Sequence, residues 1–132
     1  MRGASDTAML DHEFPRLAEA LGLSVPPAFW SAFEDLVALS RTPGFRRFMP
    51  AARFVRSLDE IRQARATGLP EDLTPFLLEE QSTHVDYYCL ALPAAEAGVR
   101  IVVFAAHAIV AEWADGAAFL SWLERRAEQA SP

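Results

Sequence analysis

The sequence predicts an α+β fold: a central, mostly antiparallel sheet with N-terminal helices and a C-terminal helix packed on it. Apolar residues recur at helical spacing in the first 40 residues. Short apolar runs punctuated by proline, glycine and polar residues follow, which is typical of antiparallel strands. An amphipathic stripe then closes the chain.

The chain length predicts a single domain over residues 1–132. A chain of 132 residues, 52% of them hydrophobic, can bury one core without a disulfide or a metal staple. We expect residues 1–9 and 127–132 to be loosely ordered.

Proline and glycine set the limits of the first two helices. The first helix is predicted to begin no earlier than about His12, because Pro15 requires a first-turn position, and to end at Gly22. Pro26 and Pro27 open the second helix, since proline favours the first turn. The apolar stripe of this second helix consists of Phe29, Trp30, Phe33, Leu36 and Val37.

An edge strand and a capped helix are predicted next. Residues 48–56 alternate weakly and contain Pro50, which fits an edge strand better than a central one. Ser57 and Glu60 form a capping box, in which each side chain accepts the backbone N–H of the other residue. This motif predicts a short helix from Leu58 to Ala66.

The following apolar runs predict strands that form an antiparallel meander. One of these strands is closed by Pro93, and another is almost continuously apolar, as expected when both faces are covered. Asp115 can cap the final helix. The predicted strands span residues 76–78, 85–92, 99–104 and 109–113.

Charge is strongly segregated along the chain. The net charge is −6, but residues 40–65 hold seven arginines against two acids, and residues 66–124 hold nine acids against Arg100 alone. Because a long acidic block offers no surface that neutralises phosphates, nucleic-acid binding would have to rest on the arginine segment alone and is not expected. The chain contains no lysine.

The sequence shows no catalytic machinery. There is no GxSxG elbow or glycine-rich phosphate loop, and Cys89 lies within a predicted strand, where a small buried hydrophobe is expected. We therefore predict no enzyme activity, catalytic residue or cofactor. A small metal-dependent enzyme that uses His84 and Asp86 stays an alternative, but a solvated acidic edge explains the same residues and we predict no metal site.

A cytoplasmic location is expected. The N-terminus lacks the apolar region of an export signal, and the uncharged stretch from Ile101 to Ala111 is too short to cross a membrane. The single cysteine suits a reducing compartment.

Several segments resemble the SUKH superfamily, the Smi and Knr type of cell-wall assembly regulators and bacterial immunity proteins. They appear in family order. The segments are LGLSVPPAFW at residues 21–30, GLPEDLTPF at 68–76, VDYYCL at 85–90 and the closing helix at 115–123.

This resemblance implies a non-catalytic, SUKH-like domain whose bacterial relatives neutralise toxins of polymorphic toxin systems by binding them directly. The acidic C-terminal half independently favours a cationic partner, such as a nuclease-type toxin domain with a basic groove. The alternative is a regulatory scaffold that binds an endogenous protein. Trp113 could be an exposed anchor or an inward-facing core residue. The predicted contact residues are Glu79, Glu80, Asp86, Tyr87, Glu112 and Trp113.

Overall fold

The computed structural model of the chain describes residues 13–95 and 98–130. In these residues the predicted α+β class is confirmed, with five helices and five strands. In chain order they are α1 (Glu13–Ala20), α2 (Pro27–Leu39), α3 (Pro43–Phe48), β1 (Ala52–Phe54), α4 (Leu58–Ala66), β2 (Leu73–Glu80), β3 (Val85–Ala95), β4 (Gly98–Ala105), β5 (Ala108–Trp113) and α5 (Gly116–Ala130).

The strands form one antiparallel sheet in the spatial order β1-β2-β3-β4-β5. Each strand therefore pairs with its neighbours in sequence, and the predicted meander extends to the whole sheet. The three-residue β1 and the six-residue β5 are the two edges. β4 is buried on both faces as predicted, apart from Arg100.

The two faces of the sheet carry different helices. On β3, Tyr88 and Cys89 point to opposite faces, as alternation in a strand requires. The Tyr88 ring lies 5.7 Å from that of Phe119 in α5, whereas Cys89 belongs to the apolar cluster around Ala64 of α4. We call the side covered by α1, α2 and α5 the helical face and the other side the α4 face.

Phe76 lies at the centre of the core on the helical face. It is fully buried and occupies a β-bulge, where the pairing of β2 with β3 shifts between Pro75 and Leu77. A bulge inserts one residue into a strand and redirects the side chains around it. The Phe76 ring has four aromatic neighbours at centroid distances of 5.4–6.5 Å, namely Phe14, Phe29, Phe33 and Phe119.

Side-chain caps fix the beginning of two helices. Ser57 Oγ accepts the Glu60 N–H at 3.2 Å, which confirms half of the predicted capping box. The Glu60 carboxylate accepts the N–H of Arg56 at 2.6 Å in place of that of Ser57, because it is also drawn to the Arg53 guanidinium. Asp115 Oδ1 accepts the Ala118 N–H at 2.8 Å and caps α5 as predicted.

The helix α3 is missing from the sequence-based prediction. Thr42 accepts the Phe45 N–H and Pro43 occupies the first turn, which are both ordinary signals of a helix start. Because α3 takes residues up to Phe48, the edge strand is shorter than the predicted 48–56. Pro93 also fails to close β3, which continues to Ala95 past an irregularity in its pairing with β4.

The C-terminal helix is longer than expected. Residues 127–130 are helical and Ala127 is buried, although we expected loose order in this segment. Residues 1–9 and 131–132, for which we expected the same, lie outside the described residues.

The packing around Phe76 makes a direct stability prediction. Phe76→Ala should lower the free energy of unfolding by about 3–5 kcal/mol, because the cavity adjoins four rings that cannot all collapse into it. Urea denaturation followed by circular dichroism measures this loss. Leu21→Ala, at a position 36% exposed, is the matched control and should cost less than ~1 kcal/mol. Similar losses in the two variants would contradict the central role of Phe76.

Candidate protein-binding surface

Four of the six predicted contact residues meet where β2 turns into β3. Glu79 and Asp86 are direct cross-strand partners, Glu80 follows Glu79, and Tyr87 follows Asp86. The turn between the strands is closed by a hydrogen bond from the Gln81 N–H to the His84 carbonyl at 2.8 Å. We call the carboxylates of Glu79, Glu80 and Asp86 the acidic hairpin end.

Turn side chains hold the Asp86 carboxylate on both sides. Gln81 Nε2 donates to Asp86 Oδ2 at 3.1 Å, and His84 Nε2 lies 3.0 Å from Asp86 Oδ1. Thr83 Oγ1 lies 3.1 Å from the other ring nitrogen of His84. These contacts fix the orientation of a carboxylate that also faces Glu79.

The paired carboxylates change the proton affinity of Glu79. Partial burial raises the pKa of Glu79, and the negative charge of Asp86 raises it further. Hydrogen bonds from the Gln81 side chain and the Ala51 N–H lower it, but burial and repulsion outweigh them. The folded protein therefore holds this negative charge at a cost, which a cationic partner would relieve.

Tyr87 lies on the α4 face, opposite the side chains of Glu79 and Asp86. Burial raises the pKa of the Tyr87 hydroxyl, and the surrounding charges include those of Arg53, Glu60 and Glu80. The half-buried ring lines a cavity of about 260 Å³ beside His84 and His107. Tyr87 is thus a rigid aromatic group at the margin of the acidic hairpin end.

Glu112 and Trp113 lie elsewhere, on the edge strand β5. This strand is three positions from β2 in the sheet, or about 14 Å at the usual strand spacing. Glu112 forms an exposed ion pair with Arg100 at 2.9 Å. The Trp113 ring lies 4.9 Å from those of both Phe119 and Trp122, which corresponds to the inward-facing alternative.

The arginine-rich segment does not neutralise the acidic hairpin end. Arg53 pairs with Glu60 at 2.5 Å, and Arg62 pairs with Asp59 at 2.8 Å. Within residues 13–95 and 98–130, no ion pair joins an arginine to Glu79 or Glu80. The negative field at this end of the sheet is therefore available to a partner.

One set of residues that the sequence analysis left without a site is brought together by the fold. Arg41, Arg46, Arg53 and Arg56 line a cavity between α3 and β1. The signal in the sequence was the excess of seven arginines over two acids in residues 40–65.

The structure also bears on two chemical alternatives, a cysteine nucleophile and a metal site. Cys89 is fully buried, as predicted, and burial raises the pKa of its thiol, so the unreactive protonated form is favoured. Among the described residues, no group of three or more His, Cys, Asp or Glu side chains is arranged to hold a metal ion.

Comparison of the chain with family models, curated proteins and solved structures finds no match. The SUKH resemblance therefore stays a prediction from the motifs. None of the helices in the described part of the chain combines the length and the apolar composition needed to cross a bilayer.

The raised pKa of Glu79 predicts how its removal changes stability with pH. Because the folded state binds this proton more tightly than the unfolded state, the carboxylate destabilises the fold as pH rises above the ordinary value of 4.5. Glu79→Gln should therefore raise the Tm at pH 7, by less than ~4 °C for a partly exposed group. The gain should disappear below about pH 4, where Glu79 is protonated in both states.

Thermal unfolding followed by circular dichroism at several pH values tests this expectation. Glu128→Gln, exposed on α5, is the matched control and should change stability by no more than ~0.5 kcal/mol at any pH. A lower Tm for Glu79→Gln at pH 7 would contradict the destabilising effect that burial and Asp86 together give the Glu79 charge.

Proposed function

We propose that this chain is a non-catalytic protein-binding domain that docks a cationic protein at its acidic hairpin end. The observation that carries the proposal is the direct pairing of Glu79 with Asp86, followed by Glu80 on the face that carries Tyr87. Like charges directly opposite each other on a sheet destabilise it. A partner that presents arginines or lysines would turn this repulsion into attraction.

Electrostatic attraction gives such a surface a high rate of association and selectivity for its partner. Complementary fields raise the rate of encounter and suppress wrong partners, at ordinary salt concentrations over distances of about 10 Å. The net charge of −6 also repels other acidic proteins. Tyr87 supports the proposal because tyrosine is enriched in interface centres, where a rigid ring buries area at small entropic cost.

Within this class, we favour an immunity protein that acts in the cytoplasm on a basic toxin domain, of the nuclease type. The SUKH-like motifs support this choice, and the observed α+β fold with helices on an antiparallel sheet is compatible with it. Immunity by direct binding needs a surface and no catalytic group. A regulatory scaffold for an endogenous protein would use the same surface.

Salt dependence and charge removal test the docking surface. The partner is captured from the native organism and purified, and its affinity for the full chain is measured by calorimetry. We expect the affinity to fall by at least about tenfold between 0.05 and 0.5 M salt, because surface charges are screened at the higher concentration. The triple variant E79Q/E80Q/D86N should weaken binding by at least about tenfold at 0.15 M salt.

The control is E124Q/E128Q, which removes two exposed carboxylates from α5 and should leave the affinity within about twofold. An affinity that is indifferent to salt, or an equal loss in both variants, would contradict docking at the acidic hairpin end. Co-expression of a toxic partner then separates the two roles. Rescue of growth by the native chain supports immunity, and a non-toxic partner supports the scaffold.

A further inference from the structure

A second candidate site lies at the edge of the sheet, between α3 and β1. It is a cavity of about 370 Å³. Its lining includes the side chains of Phe45, Met49, Phe54 and Leu77, which are 1–8% exposed and belong to the core. The base of the cavity is therefore apolar and rigid.

Four arginines add positive charge to this lining. Arg41, Arg46, Arg53 and Arg56 line the cavity. Glu60 contacts two residues of this group: its Oε2 lies 2.5 Å from Arg53 Nη1, and its Oε1 accepts the backbone N–H of Arg56 at 2.6 Å.

Positive charge remains at this cavity on Arg46 and Arg56. The other acidic residue of the segment 40–65, Asp59, forms an ion pair with Arg62. Neither Arg46 nor Arg56 takes part in the ion pairs formed within the described ranges. The carboxylate of Glu79 bonds the Ala51 N–H at the margin of β1, yet no arginine contributes to its pKa. A positive cavity thus persists in a protein whose net charge is −6.

Arginine in this setting favours phosphate. Its planar guanidinium donates two parallel hydrogen bonds to phosphate or carboxylate oxygens, and charge-assisted bonds of this kind are roughly twice as strong as neutral ones. The volume lies in the lower part of the range of small-molecule sites, about 300–1,000 Å³. A bare phosphate ion would leave the apolar base of the cavity uncovered.

We propose that this cavity binds a small organic phosphate that carries a flat apolar ring, of the size of a nucleoside monophosphate. The phosphate contacts the arginines and the ring covers Phe45 and Phe54. A nucleic-acid polymer fits less well, because the arginines converge on one concavity and do not form a stripe along which a backbone could run. The proposal is independent of docking at the acidic hairpin end.

Calorimetric titration of the full chain with AMP, adenosine and inorganic phosphate tests the proposal. At 0.15 M salt, AMP should bind at least about tenfold more tightly than either fragment, because only AMP engages both the arginines and the apolar base. The absence of AMP binding would overturn the proposal. The proposal would also be overturned if adenosine or phosphate alone bound as tightly as AMP. Either the arginines or the apolar base would then contribute nothing to binding.

Variants locate the binding in this cavity. R46Q/R56Q should weaken AMP binding by at least about tenfold. Arg47→Gln is the matched control, because Arg47 is exposed on the same helix but does not line the cavity, and it should leave the affinity within about twofold. Thermal unfolding of each variant checks that the fold is kept, and equal losses in both variants would refute the assigned site.

Two further measurements distinguish this proposal from RNA binding and from docking of the protein partner at the same arginines. An eight-nucleotide RNA that binds at least about tenfold more tightly than AMP would overturn the small-molecule assignment. R46Q/R56Q should bind the cationic protein partner within about twofold of the native chain. A loss there, with AMP binding unchanged, would place the protein interface at these arginines and refute the phosphate site.

Discussion

The packing of Phe76 against the helices is the interaction on which the remaining structure depends. Its ring contacts aromatic side chains from α1, α2 and α5 at once, so a single residue of β2 attaches three helices to one face of the sheet. The β-bulge at this point lets both Phe76 and Leu77 join the core of the helical face. Aromatic pairs in such arrangements contribute stability beyond that of their buried area.

The sheet also separates the charges of the chain. The β2–β3 turn holds the acidic hairpin end, and the segment around β1 holds the arginine-lined cavity. Because β1 and β2 are neighbours in the sheet, the two sites lie on neighbouring parts of the surface. Glu60 pairs with Arg53, whereas Glu79 pairs with no arginine in the described residues. One small domain can therefore hold two binding sites of opposite charge, provided that each site recognises its ligand at short range.

Local patterns predicted the elements that depend on local signals. The helix Leu58–Ala66 is confirmed at both ends, because the bond from Glu60 N–H to Ser57 needs only neighbouring residues. The short helix α3 had comparable signals in Thr42 and Pro43, but they were overlooked. Pro93 was misread because a proline is tolerated in a strand where the pairing is irregular, and irregular pairing is a property of two strands together.

The amino-acid sequence by itself determined the fold class, the order of the elements other than α3, and the segregation of charge, because periodicity, capping and composition act within one segment. Only the tertiary structure decided which charges meet. Glu79 and Asp86 became partners through strand register, four arginines of residues 40–65 came to line one cavity between α3 and β1, and Trp113 turned inward against α5. Contacts between distant segments depend on how strands pair and helices pack, and no local pattern specifies that geometry.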